Sequence, residues 1–168
     1  VAIPKKIVDS YVSCIKKAGL APIAFETESE AVARALIKKE NNCLLVIVDF
    51  GKTNTNFVIY SGKSVRFTCS IPISSQSLTG AISNSLKINL AEAEKIKIQY
   101  VLDKSKIENK TDQVFSAMEP VLDDLAGQIK KYINFYQDHS SFEYLLPDKK
   151  IEKVIFCGGG SELSGFTE

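Results

Sequence analysis

The sequence has no tryptophan, one methionine, one histidine and only two arginines in 168 residues. With His139 as its one histidine, the sequence does not point to a histidine metal cluster or a Ser-His-Asp triad. Arg34 and Arg66 are a poor set for bidentate reading of bases or phosphates. Basic and acidic residues balance at 21 and 20, so no net field draws the chain to nucleic acid or to an anionic membrane. No apolar run approaches the roughly 18 residues of a membrane span. The opening Val1-Ala2-Ile3-Pro4 lacks an initiator methionine and the charged and apolar regions of a signal peptide. It reads as a strand entered midway, so a piece of a longer chain is expected. Cys14, Cys43, Cys69 and Cys157 form no C-x-x-C pair and each lies in an apolar run, which predicts reduced core residues in a cytoplasmic protein. What is present is an average soluble recipe, 45% hydrophobic and 24% charged with mean hydropathy near zero. No internal repeat is visible, which excludes a solenoid.

Periodicity predicts an α/β chain. Ile7, Val8, Tyr11, Val12 and Ile15 recur at spacings of three and four, so Lys5 to Ala18 is an amphipathic helix stopped by Gly19. Leu20 to Phe25 reads as a short strand, and Thr27 or Ser29 can cap a helix from Glu28 to Lys39. Cys43 to Asp49 is apolar and β-branched throughout, the pattern of a central strand buried on both faces. Asn56 to Tyr60 and Ser64 to Ile71 complete a meander through the turn Ser61-Gly62-Lys63. Helices follow at Ser74 to Leu86, at Leu90 to Leu102 capped by Asn89, and at Val114 to Asp138, where Pro120 marks a kink or second start. In the second of these Glu92, Glu94, Lys95 and Lys97 form the wet face and Ala93, Ile96 and Tyr100 the dry one. Polar loops are expected at Lys104 to Asp112 and His139 to Lys150, before a last strand, Lys153 to Cys157.

Two glycine-bearing turns follow buried strands directly. In Val48-Asp49-Phe50-Gly51-Lys52-Thr53-Asn54 the turn can aim backbone N–H groups at a phosphate, with the Asp49 carboxylate facing the same space to hold Mg²⁺ through water. The plain alternative is a capped β-hairpin in which Asp49 makes an Asx-turn. In Cys157-Gly158-Gly159-Gly160-Ser161 three glycines permit close approach by a flat or anionic group, with a helix expected to begin near Ser161. The alternative there is a helix cap whose glycines relieve crowding. The glycine spacing does not meet the Rossmann pattern, and Gly-x-x-x-x-Gly-Lys-Ser/Thr is absent.

The order of the pieces is helix, strand with Asp-x-Gly turn, meander, helical insertion, then strand with Gly-Gly-Gly-Ser. It resembles the second half of the actin-like ATPase (ribonuclease H-like) fold shared by actin, Hsp70, sugar kinases and the bacterial FtsA and PilM families. The likeness to the PilM family rests on Val1-Ala2-Ile3-Pro4-Lys5 with Ile7-Val8-Asp9-Ser10-Tyr11, Glu28 to Leu36, Ser70-Ile71-Pro72-Ile73, Ala91 to Lys97 and Ile155 to Leu163. FtsA is the relative most easily confused with it.

The resemblance implies roles by position. Asp49 would lie near the metal and terminal phosphates, and Gly51, Lys52, Thr53 and Asn54 would present the hairpin to them. Glu28 would orient water or Mg²⁺, or else serve as an acid at a helix start. Glu94 and Lys97 would touch ribose and adenine, or else belong to an exposed charged face. Gly158, Gly159, Gly160 and Ser161 would line the adenosine. The implied ligands are ATP and Mg²⁺. The implied role is a cytoplasmic scaffold of type IV pilus assembly, peripheral to the inner membrane through the N-terminal peptide of a PilN-like protein. Self-association stays open, and the alternatives are an FtsA-like division protein or a sugar-kinase-type phosphotransferase. Residues 1–26 would end a preceding inserted subdomain. Residues 27–82 and 151–168 would form the second large subdomain, and residues 83–150 a helical insertion. Lys52 and Thr53 stand where Hsp70-like members carry further glycines, so nucleotide binding is expected ahead of fast hydrolysis. The family's first phosphate loop lies outside this sequence, so the chain alone is expected to be inactive.

Overall fold

A computed structural model describes residues 3–38, 43–102, 111–139, 151–163 and 166, with backbone alone at 100–102 and 111–112. The elements in order are α1 (Lys5–Lys17), α2 (Glu28–Leu36), β1 (Leu45–Phe50), β2 (Thr55–Ser61), β3 (Ser64–Ile71), α3 (Ser75–Leu86), α4 (Leu90–Leu102), α5 (Thr111–His139) and β4 (Lys153–Cys157). A four-residue 3₁₀ turn, Gly159–Glu162, follows β4.

The strands form one four-stranded sheet in the order β3-β2-β1-β4. β1 runs antiparallel to β2, with Asp49 opposite Asn56, and parallel to β4, with Asp49 opposite Cys157. Side chains alternate across β1. Val46, Val48 and Phe50 enter the larger core with Leu78 and Ile82 of α3, Ala93 of α4, and Met118 and Leu125 of α5. Leu45 and Ile47 enter a smaller core with Val58 and with Ala33 and Ile37 at α2. Helices therefore cover both faces of β1, which is why its sequence is apolar without alternation. The β2–β3 connection is a two-residue turn with positive φ at Gly62 (58°) and Lys63 (66°), the mirror-image geometry that matches strand twist.

The helix starts follow from local side chains. Thr27 Oγ1 accepts from the Glu30 amide, Ser74 and Ser77 form a reciprocal capping box, and Asn89 Oδ1 accepts from the Glu92 amide at 2.9 Å. α5 runs through Pro120 without ending. Val121, Leu125, Ile129, Tyr132, Ile133 and Tyr136 face the sheet core as their spacing predicts.

Several expectations fail. Leu20 to Phe25 is irregular, and Ile23 is fully exposed. A short apolar run becomes a strand only where a neighbour accepts its backbone bonds, and none does among the described residues. α2 ends at Leu36 because Ile37 turns extended, at φ −105° and ψ 124°, to drop into the smaller core. Cys14 is exposed on α1, and Cys43, Cys69 and Cys157 are half-buried, so none is a sealed core residue. Thr111 and Asp112 open α5 and His139 closes it, so they are not loop. The rest of those two predicted loops, 104–110 and 140–150, lies outside the described residues.

Candidate functional site

The β1–β2 hairpin is tied down at its base and open at its tip. Gly51 donates to Asn54 O at 3.1 Å, and a Cβ on Gly51 would lie 2.8 Å from that oxygen, so only glycine fits. Gly51 O and Lys52 O accept the first amides of α3, Ser75 N at 2.9 Å and Gln76 N at 3.0 Å. Buried Thr55 donates to Ile73 O at 2.7 Å, closing the same joint. The helix start is thus capped by the hairpin's carbonyls. The amides of Lys52, Thr53 and Asn54 donate to nothing among the described residues and are the donors open to an anion.

Asp49 lies on the α2 side of the sheet end, half-buried between Asn56 and Cys157. Glu28, at the start of α2, reaches this edge: its Oε2 accepts from Asn56 Nδ2 at 3.4 Å. Asn56 Oδ1 in turn accepts from Asn54 Nδ2 at 2.9 Å, which also donates to Ser70 Oγ, while Thr53 donates to Asn54 Oδ1. Asn56 therefore joins Glu28 to the hairpin. Sequence reasoning missed it, although its place two residues beyond the hairpin tip, at the position facing Asp49, was the available signal.

The glycine turn has unequal members. Gly158 adopts φ 83° and ψ 161°, and a Cβ there would lie 2.5 Å from Asp49 Oδ1 and 2.6 Å from Phe50 O. A Cβ on Gly160 would lie 2.4 Å from the Phe50 ring, whereas Gly159 has nothing within 4 Å. Ser161 donates back to Gly158 O at 2.7 Å. Gly158 and Gly160 thus pack against β1, Ser161 braces the turn from within, and Gly159 and Gly160 line a cavity. The helix expected from Ser161 is only the 3₁₀ turn, too short to supply a helix dipole.

That cavity, of about 400 Å³, lies between the hairpin, α3, α4 and the glycine turn. Lys52, Ser75, Glu94 and Lys97 give it polar walls, and Ile98 and Leu163 give it apolar ones. The size and the few convergent polar groups are those of a small-molecule site. Asp49 and Glu28 lie outside its lining, on the other side of the hairpin base.

The wet face predicted for α4 is wrong at Lys97, which is only 7% exposed. It stands one turn beyond buried Ala93, so the helix turns it inward, and its ammonium is satisfied there. Lys97 Nζ donates to Ser75 Oγ at 2.8 Å, Thr79 Oγ1 at 2.9 Å and Glu94 Oε2 at 2.8 Å, with Ser75 O at 3.2 Å. Thr79 donates to Glu94 Oε2 at 2.5 Å. Burial acts to raise the Glu94 carboxyl, but hydrogen bonds from Lys97 and Thr79 and the charges of Lys97 and Lys52 outweigh it and hold the group below its usual range. Thr79 was another residue that the spacing alone did not single out.

Burial, then the charge and hydrogen bonding of Asp49, push the Cys157 thiol from 9.0 up to about 11. The folded state favours the neutral thiol, so its contribution to stability is intact below pH 9 and is lost as pH rises toward about 11. At pH 8, alkylation of Cys157 is expected to be roughly tenfold or more slower than that of exposed Cys14, by peptide mass spectrometry. Asp49→Asn should speed it. An unchanged rate in that variant would show that thiol and carboxylate do not meet.

The sequence model of the family described as "Cell division protein FtsA" matches residues 46–168. The chain belongs to the FtsA family. It is 24% identical over 174 aligned residues to the cell division protein FtsA of Pseudomonas aeruginosa, covering 92% of this chain and 40% of that protein. The chain spans less than half the length of the curated relatives it matches. Among solved structures it is similar to a PilM-PilN type IV pilus biogenesis complex, at TM-score 0.69 and 23% identity, covering 95% of this chain and 42% of that one. It is also similar to MreB5 of Spiroplasma citri bound to AMPPNP, at TM-score 0.68 and 14% identity, covering 96% of this chain and 55% of that one. These structural likenesses give this FtsA-family chain a partial actin-like ATPase fold.

Proposed function

We propose that this chain binds ATP with Mg²⁺ as part of an actin-like scaffold serving type IV pilus assembly at the cytoplasmic side of the inner membrane. The observation that carries the nucleotide reading is the cavity closed by the hairpin, α3, α4 and the glycine turn, with Lys52 of the hairpin in its lining. Ile98 and Leu163 suit a base, Glu94 can accept from sugar hydroxyls, and the amides of Lys52, Thr53 and Asn54 suit phosphates. No group of three or more potential metal ligands occurs among the described residues. One carboxylate, Asp49, fits Mg²⁺ that keeps its water and phosphate ligands, and fits no cation needing a protein cage. Binding of AMPPNP by the MreB5 relative supports the choice of nucleotide.

In this reading residues 27–82 and 151–168 form the large subdomain, 83–150 its insertion and 1–26 the end of another. Asp49 and Glu28 address metal and water, and Lys52 and Thr53 in the hairpin favour binding over fast hydrolysis. The likeness to PilM in its complex with PilN supports a pilus role, with the N-terminal peptide of a PilN-like membrane protein as partner. A division role is the second reading, favoured by the family match and the curated relatives.

Calorimetry on the intact protein tests the nucleotide. Asp49→Ala should weaken ATP roughly tenfold or more with Mg²⁺ and change little without it, the size of one charged contact. Absence of ATP binding by the wild type would sink the reading. Retention of a PilN-type peptide on the protein separates the pilus role from division.

A further inference from the structure

We propose that a second cavity, between α2 and the β2–β3 turn, binds a free α-amino acid with a large apolar side chain, its ammonium on Glu30 and its carboxylate on Lys63. The cavity has about 340 Å³, within the usual range for a small ligand. It stands apart from the nucleotide reading. It opens on the α2 face of the sheet, whereas the larger cavity opens among the hairpin, α3 and α4. The seven residues of β2, about 20 Å at the usual rise, separate the β1–β2 hairpin from the β2–β3 turn.

Its floor is the open end of the smaller core. Ala33 on α2 and Ile37 just beyond it are buried there, and Val65 and the Tyr60 ring pack against that core. The charged groups around this floor divide into used and unused. Arg34 is committed: its Nε donates to Glu26 Oε2 at 3.1 Å and its Nη2 to Glu26 Oε1, a bidentate pair that neutralises both. The Glu30 carboxylate and the Lys63 ammonium form no ion pair or hydrogen bond among the described residues. Glu30 stands one turn before Ala33 on the same face of α2, so it borders the apolar floor. Lys63 stands at the other wall, at φ 66° in a turn position where glycine is the unstrained choice. Backbone strain of this kind gathers at ligand sites. One free anion and one free cation over an apolar floor match a ligand that carries both charges and a hydrocarbon body. A plain anion would meet Glu30, and a plain cation would meet Lys63.

NMR titration of the intact protein with L-phenylalanine and L-leucine, and with N-acetyl-phenylalanine, phenylalaninamide and glycine, tests the assignment. The amides of Glu30, Ala33, Lys63 and Ser64 should shift with the two apolar amino acids, and those of Gly159 and Gly160 should not. Blocking either charge of phenylalanine should weaken binding about tenfold, the size of one charged hydrogen bond. Glycine, with both charges and no apolar body, should cause no shift. Glu30→Gln should weaken phenylalanine about tenfold and N-acetyl-phenylalanine by less than about twofold. Lys63→Gly should weaken phenylalanine about tenfold and phenylalaninamide by less than about twofold. Glycine takes positive φ without strain, so this variant should melt no lower than the wild type, which separates lost binding from lost folding. Equal affinity for phenylalanine and its two blocked forms would show that neither charge is read, and would overturn the proposal. Shifts confined to the nucleotide cavity, or no shift with millimolar phenylalanine or leucine, would overturn it too. So would a hydrophobic peptide held at this cavity more tightly than the free amino acids. ATP binding, present or absent, bears only on the nucleotide reading.

Discussion

Gly158→Ala is expected to destabilise the protein by about 4 kcal/mol and Gly160→Ala by about 2 kcal/mol, while Gly159→Ala changes stability by less than about 0.5 kcal/mol. Gly158 sits at φ 83° and ψ 161°, a region that side chains essentially never occupy; this alone costs about 1–3 kcal/mol. Its added methyl would also meet Asp49 Oδ1 at 2.5 Å and Phe50 O at 2.6 Å, both on the central strand. Backbone oxygen cannot retreat there without breaking the ladder, so strain and collision combine. At Gly160 the methyl meets the Phe50 ring at 2.4 Å. That ring is buried and stacks on Phe166 with centroids 5.6 Å apart, so relief requires repacking and costs about 1–3 kcal/mol. Around Gly159 there is open space. At this chain length, melting should fall by roughly 10 °C for Gly158→Ala and hardly at all for Gly159→Ala. Gly159→Ala, which projects into the cavity, should lower nucleotide affinity instead. Equal melting temperatures for the three variants would contradict the packing of this turn on β1.

Phe50→Ala is expected to cost about 4 kcal/mol, the usual range for emptying a buried aromatic site. Phe50 is the residue within the Asp-x-Gly turn, and it faces away from Asp49 into the larger core. There it supports Gly160 from below and stacks with Phe166. Denaturant unfolding of Phe50→Ala, Gly160→Ala and the double variant measures whether the two turns act as one unit. The methyl of Gly160→Ala enters space that Phe50→Ala opens, so the double variant should be more stable than the sum of the two losses by about 1 kcal/mol or more. Strict additivity would show that the ring and the turn are independent. The two turns that read as separate phosphate and adenosine elements are, physically, one packed joint.

Much of this was legible in the residues. The apolar run before Asp49, the hairpin turn at Gly62-Lys63, the caps at Ser74 and Asn89, and the strand before Gly158 all lie where local pattern puts them. Of the residues singled out for the site, Lys52, Glu94, Lys97, Gly159 and Gly160 meet at one cavity. Asp49 and Glu28 gather around Asn56 on the other face. Leu20 to Phe25 was misread because hydrophobicity alone does not say what will cover a segment. The charge pattern of α4 was misread at Lys97 because a wet face and a satisfied buried lysine carry the same letter.

By itself the sequence determined most of the elements, their order and the two strand-end turns, because turn chemistry, capping and side-chain period act between residues a few positions apart. Only the tertiary structure decided that β4 lies parallel against β1, which brings Gly158 onto Asp49 and Gly160 onto Phe50. It also decided that Lys97 turns inward to Ser75, Thr79 and Glu94. Which glycine is open and which is wedged, and which lysine is structural, depend on contacts between distant segments, and no local pattern encodes those.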